Sequence, residues 1–419
     1  MIKQVSLRNW KSYSESTLYI DPVTILIGTN ASGKSNVLDA LQFLQRATSG
    51  LNLHQAIYGD LNIPPLRGGA EWICLRGCDE FCIDVTFSTD NEQIDYKYSL
   101  AIKMQESSKA EISKEELLQL KYGPRATQPK EKRLFYTQQQ DNFGTPSISA
   151  YFSTGTNGPG KRIDLNRSYT ILNQSETILV RKEIQDAVRT VLSQLQNIFV
   201  FDPIPSHMRD YKSFSDTLQS DGSNLAGVLA ALEDTEKESI ESKLTEYLRE
   251  LPEKDISKVW AEPVGKFKTD AMIYCAESWS HGDFQIVDAR GMSDGTLRYL
   301  AIVAAMLTRT PGSLLVIEEI DNGLHPSRAK ILIDMLRSLG SERQIDVLVT
   351  THNPALLDAA GNKMVQFITV AHRDPHSGYS LLTPLEDIKL LDQLMARGTI
   401  GRLSAEGAIE KALVSESGQ

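Results

Sequence analysis

The chain has 419 residues, 41% hydrophobic and 23% charged, with a formal net charge of −10. That length and balance describe a globular protein of two or three domains with a large buried core, and they argue against a wholly basic nucleic-acid binder. The longest apolar stretches, Leu297–Leu307 and Leu314–Ile317, are too short or too broken by charge to span a membrane, and no signal peptide opens the chain, so a cytoplasmic protein is expected.

Residues 1–27 alternate as a hairpin of Ile2–Trp10 and Thr17–Ile20, a turn at Asp21-Pro22, and an apolar strand Val23–Ile27. Residues 28–35 then read Gly-Thr-Asn-Ala-Ser-Gly-Lys-Ser, an unbroken GxxxxGK[ST] loop, followed by the helical run Val37–Leu44. The glycines permit a tight turn, so successive N–H groups and the helix N-terminus point at a polyphosphate. Lys34 can reach the outer phosphates and the Ser35 hydroxyl can ligate Mg²⁺. Strand before and helix after place this nucleotide motif in the setting it needs.

Three strand-like runs follow at Glu71–Arg76, Glu80–Ser88 and Ile94–Lys103, read as an antiparallel meander. Cys74, Cys78 and Cys82 within it fit no metal spacing and read as strand-packing thiols rather than ligands. From 105 to 170 the composition turns polar and glycine-rich, which predicts a loop-rich insertion. Lys121, Arg125, Lys130, Lys132 and Arg133 make its densest basic stretch, open to reading as a solvated loop or as a phosphate-backbone contact.

Helical periodicity returns over Ser175–Gln196, Asn224–Leu232 and Glu236–Leu251, with no sustained heptad run. Strands are expected at Ala271–Ala276 and Phe284–Asp288. An alternating core of Thr296–Leu307, Leu314–Ile317, Arg328–Leu339, Asp346–Val349, Pro354–Ala359 and Val365–Val370 reads as a parallel sheet with crossover helices. The domain expectation is 1–104 as an N-terminal lobe, 105–170 as the insertion, 171–260 as a helical lobe and 261–419 as a C-terminal lobe.

Leu314–Ile317 ends in Glu318-Glu319, which places two carboxylates where an open α/β sheet binds its ligand. One would hold the Mg²⁺ shell and the other would orient the attacking water. Asp346–Val349 ends in Thr350-Thr351-His352. Ser293-Asp294-Gly295-Thr296 opens a helix and forms either a second anion nest or an ordinary cap.

In this order the pieces resemble the ATP-binding-cassette (ABC) ATPases, especially the chromosome-maintenance and repair branch that includes SMC and RecF. The opening Leu7–Tyr13 is similar to that branch's first strand. Ile317–Pro326, Leu66–Glu71 and Asp221–Leu225 resemble the stand-alone, OLD-type (overcoming-lysogeny-defect) members, and an appended Toprim nuclease domain is not expected. The resemblance implies an α/β P-loop fold with a mixed, mainly parallel sheet, an antiparallel β lobe and a helical insertion. It implies ATP and Mg²⁺ as ligands, with Lys11 and Asn30, Ala31, Ser32, Gly33, Lys34, Ser35 and Asn36 around the nucleotide. Ser35 and Glu318 would attend the metal, Glu319 would polarise water and His352 would sense the terminal phosphate. Ser293 and Gly295 would form the signature that meets the ATP of a second protomer, and Asp321 would begin the loop crossing the interface. The first acidic position is Glu318 where most ABC ATPases have aspartate, and the signature departs from the transporter form. Gln55 is a weak choice for the Q-loop glutamine. The implied partners are a second copy in an ATP-sandwich dimer, a higher assembly of such dimers, a separately encoded nuclease-type effector and a nucleic acid, with no membrane. A slow ATP-binding scaffold and a transporter ATPase subunit are the alternatives. Asp374 and His376, in a hairpin over Val365–Leu382, are expected to be turn residues.

Overall fold

The computed structural model describes residues 1–417 except 62, 106–108, 124–127, 139–143, 156–157, 253–255 and 279–283. Arg125 lies outside the described residues. The chain opens with β1 (Ile2–Trp10), β2 (Tyr13–Tyr19) and β3 (Val23–Ile27), then α1 (Lys34–Thr48) and the short α2 (Leu53–Tyr58). Six strands follow: β4 (Glu80–Ser88), β5 (Ile94–Met104), β6 (Ala110–Lys121), β7 (Lys130–Thr137), β8 (Ser147–Phe152) and β9 (Lys161–Asn166). Helices α3 (Ile171–Ser175) and α4 (Lys182–Gln196) lead to β10 (Ile198–Phe201), β11 (Lys212–Ser213), α5 (Leu225–Ala231) and α6 (Asp234–Arg249). Next come β12 (Ile256–Val264), β13 (Asp270–Ser278), β14 (Phe284–Asp288) and α7 (Asp294–Thr308). The alternating part is β15 (Leu314–Ile317), α8 (Ala329–Arg343), β16 (Asp346–Thr350), α9 (Pro354–Ala360), β17 (Ile368–Arg373) and β18 (Ser380–Pro384). Three helices end it: α10 (Leu391–Met395), α11 (Ile400–Ala405) and α12 (Ala408–Ser417).

The central sheet runs β10-β15-β16-β3-β17-β18, parallel except for its last pair. β3, from the chain's start, is therefore inserted between two strands from its end. A parallel sheet covered on both faces favours apolar residues along each strand, with successive side chains facing opposite layers. That is what is found. Ile25, Ile27, Leu315, Ile317, Val347 and Val349 join one core with α7 and α8, while Leu26, Leu314, Val316 and Leu348 join the other with α1 and α4. α7 is buried from Gly295 to Leu307, as an all-round apolar helix must be. An antiparallel sheet in the order β2-β1-β4-β5-β6-β7-β8-β9 closes the second core, and β13 carries β11, β12 and β14 in a third sheet.

Several sequence expectations need correction. The segment 105–170 is not a loop-rich insertion: β6 to β9 extend the antiparallel sheet to eight strands. Its alternation was masked because β6 buries Glu111 and Glu115 where an apolar residue would be expected. Glu71–Arg76 is no strand but a 3₁₀ turn at Ala70–Trp72 and one bridge between Trp10 and Cys74, since Gly68, Gly69 and Gly77 turn the chain through positive φ. Cys82 lies on β4, but Cys74 lies only in that bridge and Cys78 is exposed in the following turn. The helix expected over Ser175–Gln196 starts only at Lys182, Ser175 being the last residue of α3. β17 begins at Ile368, after a 3₁₀ segment at Asn362–Phe367. Gln55 closes a capping box on α2 with Asn52.

Candidate functional site: a phosphate loop facing an acidic strand end

The loop 28–33 leaves β3 and enters α1 under tight steric control. A Cβ on Gly28 would stand 2.2 Å from the Ala371 carbonyl oxygen, and one on Gly33 would stand 2.7 Å from both the Ser380 and Tyr13 hydroxyls. With φ of +147° and +113°, both positions suit only glycine. Lys34 donates to the loop carbonyls of Gly28 at 2.6 Å and Thr29 at 3.0 Å. Ser32 is buried with no hydrogen-bond partner for its hydroxyl, a polar group inside the cradle that suits an anionic ligand.

Opposite the loop, β15 delivers Glu318, whose Oε1 accepts from Ser35 Oγ at 2.7 Å. The contact places a hydroxyl and a carboxylate, both hard oxygen donors, side by side at the phosphate loop, a set that fits Mg²⁺. Burial opposes the charge of Glu318, but bonds from Arg67 and Ser35 outweigh it and hold the carboxyl below its ordinary range. Glu319 follows with φ of +45°, a left-handed backbone that costs a non-glycine residue roughly 1 kcal/mol or more. Its amide donates to Thr350 Oγ1 at 2.8 Å, and Arg298 of α7 donates to the carbonyls of Glu318 and Glu319 at 2.9 and 3.0 Å. The side chain of Glu319 stays exposed. Burial lowers the Lys34 ammonium pKa, against Glu319, Glu318 and Glu410, which favour its charge.

Asn30, Ala31, Ser32, Gly33, Lys34, Ser35, Asn36, Glu318, Glu319, Thr350 and Arg373 share one cavity of about 300 Å³. A larger one of about 1240 Å³ adjoins it through Ser35, Asn36 and Arg373, and takes in Lys11, Asp39, Arg67, Trp72 and Tyr379. Lys11 does not line the smaller cavity. It meets Asp39 Oδ2 at 2.5 Å and the Arg67 carbonyl at 2.7 Å.

His352 is exposed just past β16, whose end is bonded to β3 through the Thr351 amide and the Leu26 carbonyl at 3.3 Å. Asp321 accepts from Thr351 Oγ1 at 2.5 Å. Ser293 caps α7 through the Thr296 amide at 3.1 Å, and Gly295 lies under the Gly323 carbonyl. Among the described residues lining the smaller cavity, neither signature residue, nor Asp321, nor His352 is present. Asp374 accepts from the amides of His376 and Ser377 and so shapes the β17–β18 turn.

The sequence reading missed Arg67, Arg298, Thr350 and Arg373. Arg67 spans two carboxylates, with Nε on Asp39 at 3.0 Å and its Nη atoms on Glu318 at 2.9 and 3.1 Å. Its place in Leu66–Glu71 was the one available signal.

A phosphate loop on the central strand of a parallel sheet, faced by a hydroxyl–carboxylate pair, defines a P-loop nucleoside triphosphatase. The chain belongs to the AAA_21 family, described as "AAA domain, putative AbiEii toxin, Type IV TA system", whose profile matches residues 23–358, and it is an ATPase. It is similar to an ATP/GTP phosphatase of Helicobacter pylori, 21% identical over 376 residues that cover 85% of this chain and 87% of the relative. A stretch of 44 residues is 48% identical to the DNA replication and repair protein RecF of Thermosynechococcus vestitus, covering 10% of this chain and 12% of that one. Among solved structures, an SMC head bound to the C-winged helix domain of ScpA aligns with a TM-score of 0.49 at 14% identity, over 91% of this chain and 97% of that chain.

Proposed function

We propose that the protein is an ATP-gated dimeric switch acting in DNA repair or phage defence, through a separate effector of nuclease type. The observation that carries the reading is Arg298. From the helix that Ser293 caps, it reaches the carbonyls of both residues of the acidic pair. Whatever moves the start of α7 therefore bears on the carboxylates that attend hydrolysis. Ser293 lies exposed off its own chain's phosphate cavity, where the nucleotide of a second copy could meet it, while Gly295 beside it is buried under the Gly323 carbonyl.

In this reading Lys34 and the loop amides bind the phosphates, and Ser35 with Glu318 holds Mg²⁺. Bound Mg²⁺ supplies charge neutralisation at the phosphate oxygens. Glu319, exposed on its strained turn, orients and deprotonates the attacking water, and His352 donates to the terminal phosphate. Closure of a second copy over the site excludes water and completes the positioning. The family's description includes a Type IV TA system and one relative is a replication and repair protein, which favours the repair or defence setting.

Light scattering of Glu319→Gln in saturating MgATP tests the proposal. Hydrolysis should fall about 10²- to 10⁴-fold with ATP affinity retained, and the mass should double on ATP addition. A variant that binds ATP and stays monomeric, or one that hydrolyses at the wild-type rate, refutes it.

A further inference from the structure

We propose that Arg373 is a phosphate-binding residue of the nucleotide site, one that joins the triphosphate end of the ligand to the larger cavity. The inference rests on the reading of that site as one for a nucleoside triphosphate. Arg373 ends β17, outside every motif but on the strand paired with β3, and it is the residue of β17 that lines both cavities. Its Nε donates to the carbonyl of Ala31, at the tip of the phosphate loop, at 2.9 Å. Ala31 itself has a φ of +62°, so this bond helps hold a strained loop residue.

The position of Arg373 is fixed by steric limits. The hairpin β17–β18 is pressed onto the loop so closely that Gly28 touches Ala371 and Gly33 touches Ser380 with no room for a Cβ. Ser380 is tied in turn to Ser12 by its amide and hydroxyl, both at 2.8 Å. The hairpin turn is closed by the Asp374 amide on the Tyr379 carbonyl at 2.9 Å, next to the Arg373–Ser380 pair. Arg373 is thus presented from a rigid edge.

Charge makes the case chemical. Among the described residues lining the smaller cavity, Lys34 and Arg373 are the cations, and they face Glu318 and Glu319. A triphosphate with several negative charges beside two carboxylates needs more than one lysine. A guanidinium suits phosphate because its Nη fork can bind two oxygens while Nε remains on the loop.

Three substitutions separate the roles. Arg373→Gln keeps a nitrogen donor where Nε stands and removes the cationic fork. Arg373→Lys keeps the charge without the fork, and Lys34→Ala reports on the site itself. Binding is titrated with MgATP and with inorganic tripolyphosphate, and thermal unfolding checks that each variant is folded. Arg373→Gln should weaken both ligands about 10- to 100-fold, and Arg373→Lys should recover part of the loss. Equal affinity of Arg373→Gln and wild type overturns the assignment and leaves Arg373 as a prop for the loop. A loss confined to MgATP also overturns it, since the guanidinium would then read the nucleoside. Wild type that binds neither ligand, or Lys34→Ala that binds as wild type does, instead sinks the reading of the site as a nucleotide site.

Discussion

Arg67 grips Glu318 through two parallel bonds, Nη1 to Oε1 at 2.9 Å and Nη2 to Oε2 at 3.1 Å, while its Nε stays on the buried Asp39. The carboxylate proposed to attend the metal is thus tied to the wall of the larger cavity, and through Asp39 to Lys11. Bidentate guanidinium–carboxylate pairs are directional, so Glu318 is oriented as well as charged.

Removal of that clamp has a pH signature. Arg67 and Ser35 hold the Glu318 carboxyl below its ordinary range against burial, so Glu318 stays ionised as the medium is acidified. In Arg67→Ala the carboxyl protonates at higher pH, and the acid limb of the ATPase rate profile should move upward. Rates measured between about pH 4.5 and 7 check it. An unmoved limb would mean that ionisation of Glu318 does not limit turnover.

Arg298→Lys should uncouple α7 from the acidic pair. The guanidinium reaches Pro203 O at 2.5 Å and Asp202 Oδ1 at 3.2 Å as well as the two carbonyls, a spread that one ammonium does not match. We expect kcat to drop about tenfold or more, equivalent to the roughly 1.4 kcal/mol of one charge-assisted bond, with ATP affinity held within a few-fold. Stopped-flow turnover and equilibrium binding measure the two separately.

Gly28→Ala should unfold or distort the phosphate loop. Its Cβ would meet a backbone oxygen at 2.2 Å, and that oxygen belongs to the central sheet, which cannot give way cheaply. A loss on the order of 2 kcal/mol or more in denaturant stability is expected, together with loss of nucleotide binding. Gly312→Ala, with open space around its Cβ, is the control for a positive-φ glycine without a clash.

Glu115 makes stability depend on pH from outside the site. It is fully buried on β6 and accepts from the amides of Ile171 and Leu172 at 2.6 and 2.7 Å and from the Tyr98 hydroxyl at 2.9 Å. Burial pushes its carboxyl up to about 7, against those bonds, while the unfolded chain keeps the ordinary value near 4.5. Between those values the folded state binds the extra proton. Stability is therefore fullest below about pH 4.5 and declines as pH rises through about 7. The loss is on the order of 3 kcal/mol at most. Glu115→Gln, which cannot ionise, should remove its share of that slope in urea titrations run across the range, leaving the share of Asp346, whose carboxyl burial also pushes up to about 7.

The phosphate loop and the acidic pair were legible because their chemistry needs fixed residue types at short spacing. β3, β15 and β16 were legible for a different reason. A strand buried on both faces is mostly apolar, so Val23–Ile27, Leu314–Ile317 and Asp346–Val349 stood out as short runs with few polar residues. β6 did not stand out, because its buried Glu115 is satisfied by the start of α3, a partner 56 residues away that no local pattern announces.

By itself, then, the order of residues determined a nucleotide-binding α/β ATPase, the loop that holds phosphate and the strand end that faces it. Tertiary structure alone decided which other groups share that place. Arg67 meets Glu318 across 251 residues, Arg373 meets Ala31 across 342, and β3 lies between strands formed over 300 residues later. A polar side chain brought in from such a distance obeys no periodicity, because its position is set by the folded sheet and not by its neighbours along the chain.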